Sequence, residues 1–327
     1  MPSGITHILL IKNFFDNMPD SKLKSILQTG IYFMQVGAVG PDLPYASIAD
    51  DDLILTTESE LADKFHYEKT NELVLKAFKR IKELQTVKTK KEIRFLYSFF
   101  LGFTGHIIAD GIMHPFVRDM VGDYKENQTE HRKLEMKLDV LLFHYLTRFS
   151  GNPIEFNYSN VHDELGNIYA DYYPEKKLVL EVFSDLIKEV YYENYCPEKI
   201  NGWIKGLHTM FGMAEGDHCW FYKNIPIIED FLFKDYADLI NQKKDILILG
   251  KPKDRPYNFL NKPQVHFFDD CLPRFYEVFT PFTKKSYNYV YDNTGDITDS
   301  DIPLIDLDTG RALADNNDLD KKPTLWS

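Results

Sequence analysis

Three residues of the kind that binds metal ions lie four positions apart in one strongly apolar stretch of the chain. His106, Asp110 and His114 occur within GHIIADGIMHPF. In an α-helix this spacing rotates each side chain by only about 40° from the previous one, so all three project from one stripe. Because the surrounding residues are apolar on every side, the helix is predicted to be central and buried. A metal ion would satisfy polar groups that are otherwise costly in a core.

A second pair of the same type follows along the chain. His131 and Glu135 are again four residues apart, with Asp139 one turn further. Helix bundles build metal sites from inward-facing histidine and carboxylate side chains on neighbouring helices. Since the HxxxE spacing also arises on solvated helix faces, the prediction depends on both helices together. The alternative interpretation is that these are ordinary core and surface side chains.

Three upstream residues extend the candidate set. His7 lies in an apolar first helix, and His66 lies in FHYEKTNELV. Asp42 stands in GPDLPY, where prolines stiffen the backbone on both sides. Taken one at a time, each residue is more typical of a hydrogen-bonded core histidine or a loop acid. Only their combination with the two helical motifs makes them candidate ligands.

Helical periodicity dominates the chain and strand alternation is scarce, which predicts an all-α multi-helix bundle. Thr89 and Glu92 have the capping-box spacing and are predicted to begin the central helix. Pro115 is expected to end or kink that helix near His114, because a residue before proline resists the α region. Further helices are predicted over residues 5–17, 20–36, 57–83, 131–149, 175–194, 198–221, 226–241 and 267–290.

Charge and targeting features exclude several classes of protein. The 327 residues include 38 basic and 50 acidic side chains, for a net charge of −12. No cluster of Lys and Arg dominates, so neither nucleic-acid binding nor docking on an anionic membrane is expected. The N-terminal stretch lacks a basic region, and no apolar run approaches the ~20 residues of a spanning helix. The expectation is a cytoplasmic protein without a signal peptide or transmembrane segment.

The order of these motifs resembles the zinc-dependent phospholipase C family. It is most similar to the short bacterial branch, in which the central helix reads GxxxHxxxDxxxHP. The resemblance extends over residues 5–150, and more loosely over the later helices. It implies an all-α bundle of the phospholipase C and single-strand nuclease type, which holds three zinc ions in a cleft and hydrolyses phosphate esters.

By the same resemblance, the candidate residues divide among the zinc ions. His66, His106 and Asp110 would hold one ion, with Asp42 as a further ligand or as the catalytic general base. Asp110 would bridge to a second ion, which His7 also binds. The third ion would be held by His114, His131 and Glu135.

These features predict a zinc-dependent hydrolase, a phospholipase C-like phosphodiesterase acting on a phospholipid headgroup or a smaller phosphate ester. One alternative is a nuclease or nucleotide phosphatase of similar fold, although those proteins carry HQPLH where this chain has GIMHPF. Another is a non-catalytic zinc-binding protein, since the N-terminal Trp ligand of secreted members has no counterpart at Met1. Two or three zinc ions are therefore expected. The natural substrate, the headgroup and the oligomeric state stay open.

Composition predicts three parts of the chain. Residues 1–245 form the zinc-binding helical domain, and residues 246–291 a helical extension that packs on it. Residues 292–327 are expected to form a flexible acidic tail. From Asp292 to Asp320 there are nine Asp, one Arg and no aromatic residue, which is typical of a solvated segment.

Overall fold

The fold is all-α, as the sequence predicts. The structure is a computed structural model that describes residues 4–19, 21–49, 58–147, 161, 163, 165–166, 168, 173–215, 232–249, 260, 264–316, 318 and 320–326. Within these residues the only sheet is one antiparallel pair of two-residue strands, β1 (Ile248–Leu249) and β2 (Val265–His266). Glu215, Asp217 and His218 also cluster in the sequence, in GMAEGDHCW, but their side chains lie outside the described residues.

Eleven α-helices are assigned within the described residues. A 3-10 segment, Gly40–Ala49, follows the second helix, and a π-helical turn, Phe267–Cys271, precedes the last one. The helices are α1 (Gly4–Asp16), α2 (Lys22–Gly37), α3 (Glu58–Tyr67), α4 (Glu72–Leu84), α5 (Lys90–Val121), α6 (Tyr124–Thr147), α7 (Lys176–Tyr191), α8 (Pro197–Glu215), α9 (Tyr236–Leu239), α10 (Lys243–Leu247) and α11 (Leu272–Tyr291).

Helix α5 is the central helix of the bundle. Its capping box is formed as predicted: Thr89 Oγ1 accepts from the Glu92 N–H at 3.2 Å, and the Glu92 carboxylate accepts from the Thr89 N–H at 2.8 Å. Every residue from Phe95 to Asp119 is buried. By length and composition alone α5 is apolar enough to cross a membrane, but its apolar window is entirely buried in the protein. Burial on all sides is typical of a core helix.

Helices α2 and α5 approach each other at two glycines. A Cβ atom at Gly37 would overlap the carbonyl group of Phe99, and a Cβ atom at Gly102 would overlap that of Met34. Because glycine has no side chain, the two backbones pack in direct contact. This close approach brings the carbonyl group of Ala38, the residue after α2, to the central helix.

Several predictions about helix boundaries are wrong. Helix α6 begins at Tyr124 and not at His131, and residues 232–235 of the helix predicted over 226–241 are not helical. The chain over 57–83 forms two described helices, α3 and α4, separated by a turn in which Lys69 adopts a φ of 47°. Helix α5 does not end at Pro115 but continues to Val121. The C-terminal residues pack on this part of α5, where the Trp326 indole N–H donates to the Ile112 carbonyl at 2.9 Å. Tertiary packing here outweighs the local preference of proline.

The C-terminal residues are packed, so the prediction of a flexible tail is corrected. Ile302, Ile305 and Leu307 are each 0% exposed. The turn between α3 and α4 holds them, because Thr70 Oγ1 donates to the Ile305 carbonyl at 2.7 Å and Asn71 Nδ2 donates to the Ile302 carbonyl at 2.8 Å. The acidic composition predicted a solvated tail wrongly because acidic residues of this segment form hydrogen bonds and ion pairs within the fold. The proposed boundaries at 245 and 291 stay predictions.

Candidate metal centre

The predicted ligands meet around the middle of α5, and all eight are buried. His7 comes from α1, Asp42 from the 3-10 segment and His66 from α3. Helices α5 and α6 supply the other five: His106, Asp110, His114, His131 and Glu135.

Asp110 lies between two pairs of imidazole rings. Its Oδ2 atom is 2.9 Å from His106 Nε2 and 3.6 Å from His66 Nε2. Its Oδ1 atom is 3.1 Å from His7 Nε2 and 3.6 Å from His114 Nε2. Each carboxylate oxygen therefore faces a different pair of nitrogen atoms, which is the arrangement that a bridging ligand requires.

The candidate ligand atoms are also close enough to one another to bind the same ion. Two groups of three residues each offer one ligand atom per residue within 4.8 Å of the others: His7 with Asp42 and His106, and His66 with His106 and Asp110. The His7 and His106 rings stack at 4.0 Å between centroids. Asp42 Oδ1 is 3.3 Å from His66 Nε2.

Backbone carbonyl groups orient three of the histidines. The Nδ1 atoms of His66, His106 and His114 each lie 2.7–2.9 Å from a carbonyl oxygen. The accepting residues are Ala62, Ala38 and Leu307, respectively. A carbonyl oxygen only accepts, so Nδ1 carries a proton and Nε2 is the nitrogen that faces the cluster. Metal-binding histidines are commonly fixed in this way.

The charges in the cluster stabilise one another. Burial alone would raise the pKa of Asp110, but His106, His114 and His7 outweigh it and hold this pKa well below its usual value. Burial also disfavours protonation of His106, yet the carboxylates of Asp110 and Asp42 raise its pKa to about 9. Asp110 is therefore ionised at neutral pH, and His106 carries a proton that a metal ion would displace.

The ligands predicted for the third ion line one cavity. His114 Nε2 is 3.7 Å from Glu135 Oε1. His131 differs from the other histidines, because its Nε2 donates to the Gly122 carbonyl at 2.7 Å and leaves Nδ1 as the potential ligand atom. Burial lowers the pKa of both His114 and His131 to about 4, so both rings are neutral at neutral pH. Neutral imidazole is the form that binds metal.

The chemistry of these residues fits zinc. Several buried polar atoms have no hydrogen-bond partner: His7 Nδ1, both oxygens of Asp42, His114 Nε2 and Glu135 Oε2. Buried polar atoms are normally satisfied, so an unsatisfied group of this size indicates a ligand. Imidazole nitrogen and carboxylate oxygen are the donor types that zinc prefers in catalytic sites.

Several residues that line the site were not predicted from the sequence. The cavity that His114 and His131 line is also walled by Tyr45, Tyr67, Tyr124 and Asp308. Tyr45 ends the GPDLPY motif and so had a visible signal. Arg118, which pairs with Asp308, continues the stripe one turn beyond His114. Asp308 itself had no local signal.

Together the fold and the site define a helical-bundle protein with a buried cluster of histidine and carboxylate side chains that could hold metal ions. A model of the zinc dependent phospholipase C family matches residues 6–196. The chain therefore belongs to the zinc-dependent phospholipase C family. No curated protein and no solved structure matches it in the same comparisons.

Proposed function

We propose that this chain is a zinc-dependent phosphodiesterase of phospholipase C type, which acts on a phospholipid headgroup or a smaller soluble phosphate ester. The observation that carries the proposal is the position of Asp110, with each oxygen facing a different pair of imidazoles. Membership in the family supports the reaction class. The net charge of −12 argues against a nucleic-acid substrate. A cytoplasmic location stays a prediction.

In this proposal the ligands divide as the family resemblance implies. His66, His106 and Asp110 would hold one zinc ion, and Asp110 and His7 would hold a second. His114, His131 and Glu135 would hold the third. Bound zinc supplies positive charge and Lewis acidity, which activate water and stabilise the charge that develops on the phosphoryl group.

Asp42 is the proposed proton acceptor. Burial opposes its ionisation, but His106 and His66 outweigh this effect and lower the pKa of Asp42 below its usual value. The carboxylate is therefore ionised at neutral pH. Neither oxygen has a hydrogen-bond partner, so Oδ2 is available to orient the attacking water and take its proton. If one oxygen of Asp42 binds an ion, the other oxygen can still orient the water and accept its proton.

The cavity beside the ligands has the chemistry to hold the ester. Burial raises the pKa of Tyr67, and that of Tyr124 to about 12, so both keep their phenolic protons at neutral pH. Phenolic O–H groups donate hydrogen bonds to phosphate oxygens, and their rings exclude water. Substrate in this cavity would lie between these rings and His114.

Metal analysis combined with a hydrolysis panel tests the proposal. Protein purified without chelator should contain at least two zinc ions per chain. It should cleave a chromogenic phosphodiester and phosphatidylcholine, but not a phosphomonoester or single-stranded DNA. Cleavage of DNA in preference to the diester would favour the nuclease alternative. Full zinc loading without turnover of any substrate would favour the non-catalytic alternative.

The Asp42→Asn variant separates the two roles of Asp42. Loss of activity with unchanged zinc content would assign Asp42 as the general base. Loss of zinc as well would make it primarily a ligand. Unchanged activity and zinc content would remove Asp42 from the site.

A further inference from the structure

A segment outside the family match reaches the metal centre. We name residues 302–326 the C-terminal segment; the family model ends at residue 196. Leu307 of this segment contacts two candidate ligands through its backbone. Its carbonyl accepts from His114 Nδ1 at 2.9 Å, and its N–H donates to the His66 carbonyl at 2.9 Å.

The turn that presents Leu307 is closed by hydrogen bonds within residues 306–310. Asp306 Oδ1 accepts from the N–H groups of Asp308 and Thr309 at 2.9 and 2.8 Å. The Gly310 N–H donates to the Asp306 carbonyl at 2.8 Å. These bonds fix the backbone between residues 306 and 310, so the Leu307 carbonyl has a defined direction.

Both sides of this turn are anchored to α5. Asp308 forms an ion pair with Arg118, one helical turn beyond His114. Gly310 lies against the helix itself, because a Cβ atom there would be 2.6 Å from the Gly111 carbonyl oxygen. Both anchors are buried, so water is largely excluded from the contact between the turn and α5.

The orientation of the His114 ring depends on a distant residue, whereas His66 and His106 are oriented by carbonyl groups that are held close to them. His66 donates within its own helix, and His106 donates to Ala38, which packed glycines hold beside α5. His114 donates to a carbonyl that is 193 residues away in sequence, and its Nε2 has no hydrogen-bond partner. Without the Leu307 carbonyl, nothing described here selects the tautomer or the rotation of the His114 ring.

We propose that the C-terminal segment contributes to the metal centre, because the Leu307 carbonyl positions His114 for zinc binding. The proposal rests on the proposed function in one respect, namely that His114 is a zinc ligand. Leu307 is a positioning residue, since it touches a ligand and not the ion. Asp308, by its pairing with Arg118, keeps the positioning turn in place.

Gly310→Ala in the full-length chain tests this proposal. The added methyl group collides with α5, and the φ of 67° is unfavourable for alanine, so the turn must move away from His114. Gly295→Ala is the matched control: its φ is 73°, but a Cβ atom there has no neighbour within 4 Å. The two variants share the backbone strain and differ in the displacement of the turn.

Zinc affinity is measured by competition with a chromogenic chelator. We expect Gly310→Ala to weaken one zinc site by about 10–100-fold, as loss of a ligand's supporting hydrogen bond does elsewhere. Gly295→Ala should bind zinc like the parent chain. Melting temperatures with the chelator in excess report any general loss of stability. Equal zinc affinity in both variants would overturn the proposal, whatever their melting temperatures.

Two further variants keep the outcome decisive. If Gly310→Ala does not fold, Asp308→Asn, which removes the charge paired with Arg118, should weaken the same site, with the exposed Asp320→Asn as its control. His114→Ala tests the underlying assignment. If His114→Ala retains every zinc ion at parent affinity, the proposed ligand set has failed. If it loses one while Gly310→Ala and Asp308→Asn lose none, only the positioning proposal has failed.

Discussion

Asp139 on α6 accepts both hydrogen bonds that Thr6 donates from the first turn of α1. The distances to its Oδ1 atom are 2.7 Å from the Thr6 backbone nitrogen and 2.6 Å from Oγ1. His7 is the next residue, so this contact fixes a candidate ligand relative to the helix that carries Glu135. Burial raises the pKa of Asp139 well above its usual value, which favours the neutral carboxyl group.

Replacing Asp139 should affect both stability and zinc binding. Asp139→Ala leaves two buried donors without an acceptor, which costs about 1–3 kcal/mol of unfolding free energy. It also frees the start of α1, so zinc at His7 should weaken. Asp139→Asn keeps the acceptor and should retain zinc. Urea unfolding and zinc analysis of the two variants check this, and parent-like behaviour of Asp139→Ala would contradict it.

The same residue predicts a pH dependence. Its folded-state pKa is raised above the unfolded value of about 3.9, so the stability it contributes is present in acid. This stability is lost as the pH rises above about 4 and through the folded-state pKa. Asp139→Asn should therefore become more stable relative to the parent as the pH rises from 5 to 9. A constant difference in unfolding free energy across this range would be inconsistent with a buried titrating carboxyl.

Asp110 should be the most sensitive position in the metal centre. Asp110→Ala removes the group between two pairs of imidazoles and leaves buried positive charge uncompensated, which costs about 3–5 kcal/mol. Two zinc ions should weaken together, with a large loss of activity. Asp110→Asn keeps the shape and should lose activity with a smaller loss of stability. Zinc stoichiometry and melting temperature measure these effects.

His144→Ala is the control for these substitutions. His144 lies on α6 but stacks on Tyr236, at 3.9 Å between ring centroids, away from the candidate ligands. It should retain the zinc content of the parent chain. If Asp110→Ala also keeps the parent zinc content, the bridging role is wrong.

Zinc binding should release protons at neutral pH. His106, with a pKa of about 9, carries a proton that zinc must displace, and burial raises the pKa of Glu135 well above its usual value, which favours a second displaced proton. Zinc affinity should therefore rise by about tenfold per pH unit for each displaced proton between pH 7 and 9. Calorimetry of zinc binding in buffers of different ionisation enthalpy counts these protons. If zinc binding released the same number of protons at pH 7 and at pH 10, this result would contradict the raised pKa of His106.

The contact between α2 and α5 should tolerate no side chain at its glycines. Gly102→Ala places a methyl group on the Met34 carbonyl, and overpacking of this kind costs about 1–3 kcal/mol. Gly212→Ala on α8 meets no atom within 4 Å and should stabilise the protein by about 0.5–1 kcal/mol. Thermal unfolding of both variants measures the contrast. A stabilising Gly102→Ala would show that the helices are further apart.

Periodicity explains which features the sequence could predict. His106, Asp110 and His114 share a stripe by local geometry alone, and Thr89 with Glu92 begins the helix through a local motif. The all-α fold follows from the same 3.6-residue period. Features of this kind need no knowledge of distant residues.

The features that could not be predicted depend on contacts between distant residues. Pro115 has a local preference to end a helix, yet the packed segment around Trp326 covers this part of α5. The acidic composition after Asp292 resembles a solvated tail, yet Asp306 and Asp308 satisfy their carboxylates inside the fold. No local pattern indicates that Leu307 would meet His114.

The hydrogen bond between His114 and Leu307 also sets the order in which the site is completed during synthesis. The two residues are 193 positions apart, so at about 5–20 residues per second the ribosome makes Leu307 about 10–40 s after His114. From the synthesis of Glu135 onward, the nascent chain carries all the candidate ligands but not the carbonyl that orients one of them. The His114 side of the centre therefore matures last, once the final helix and the segment beyond it have emerged and docked on α5.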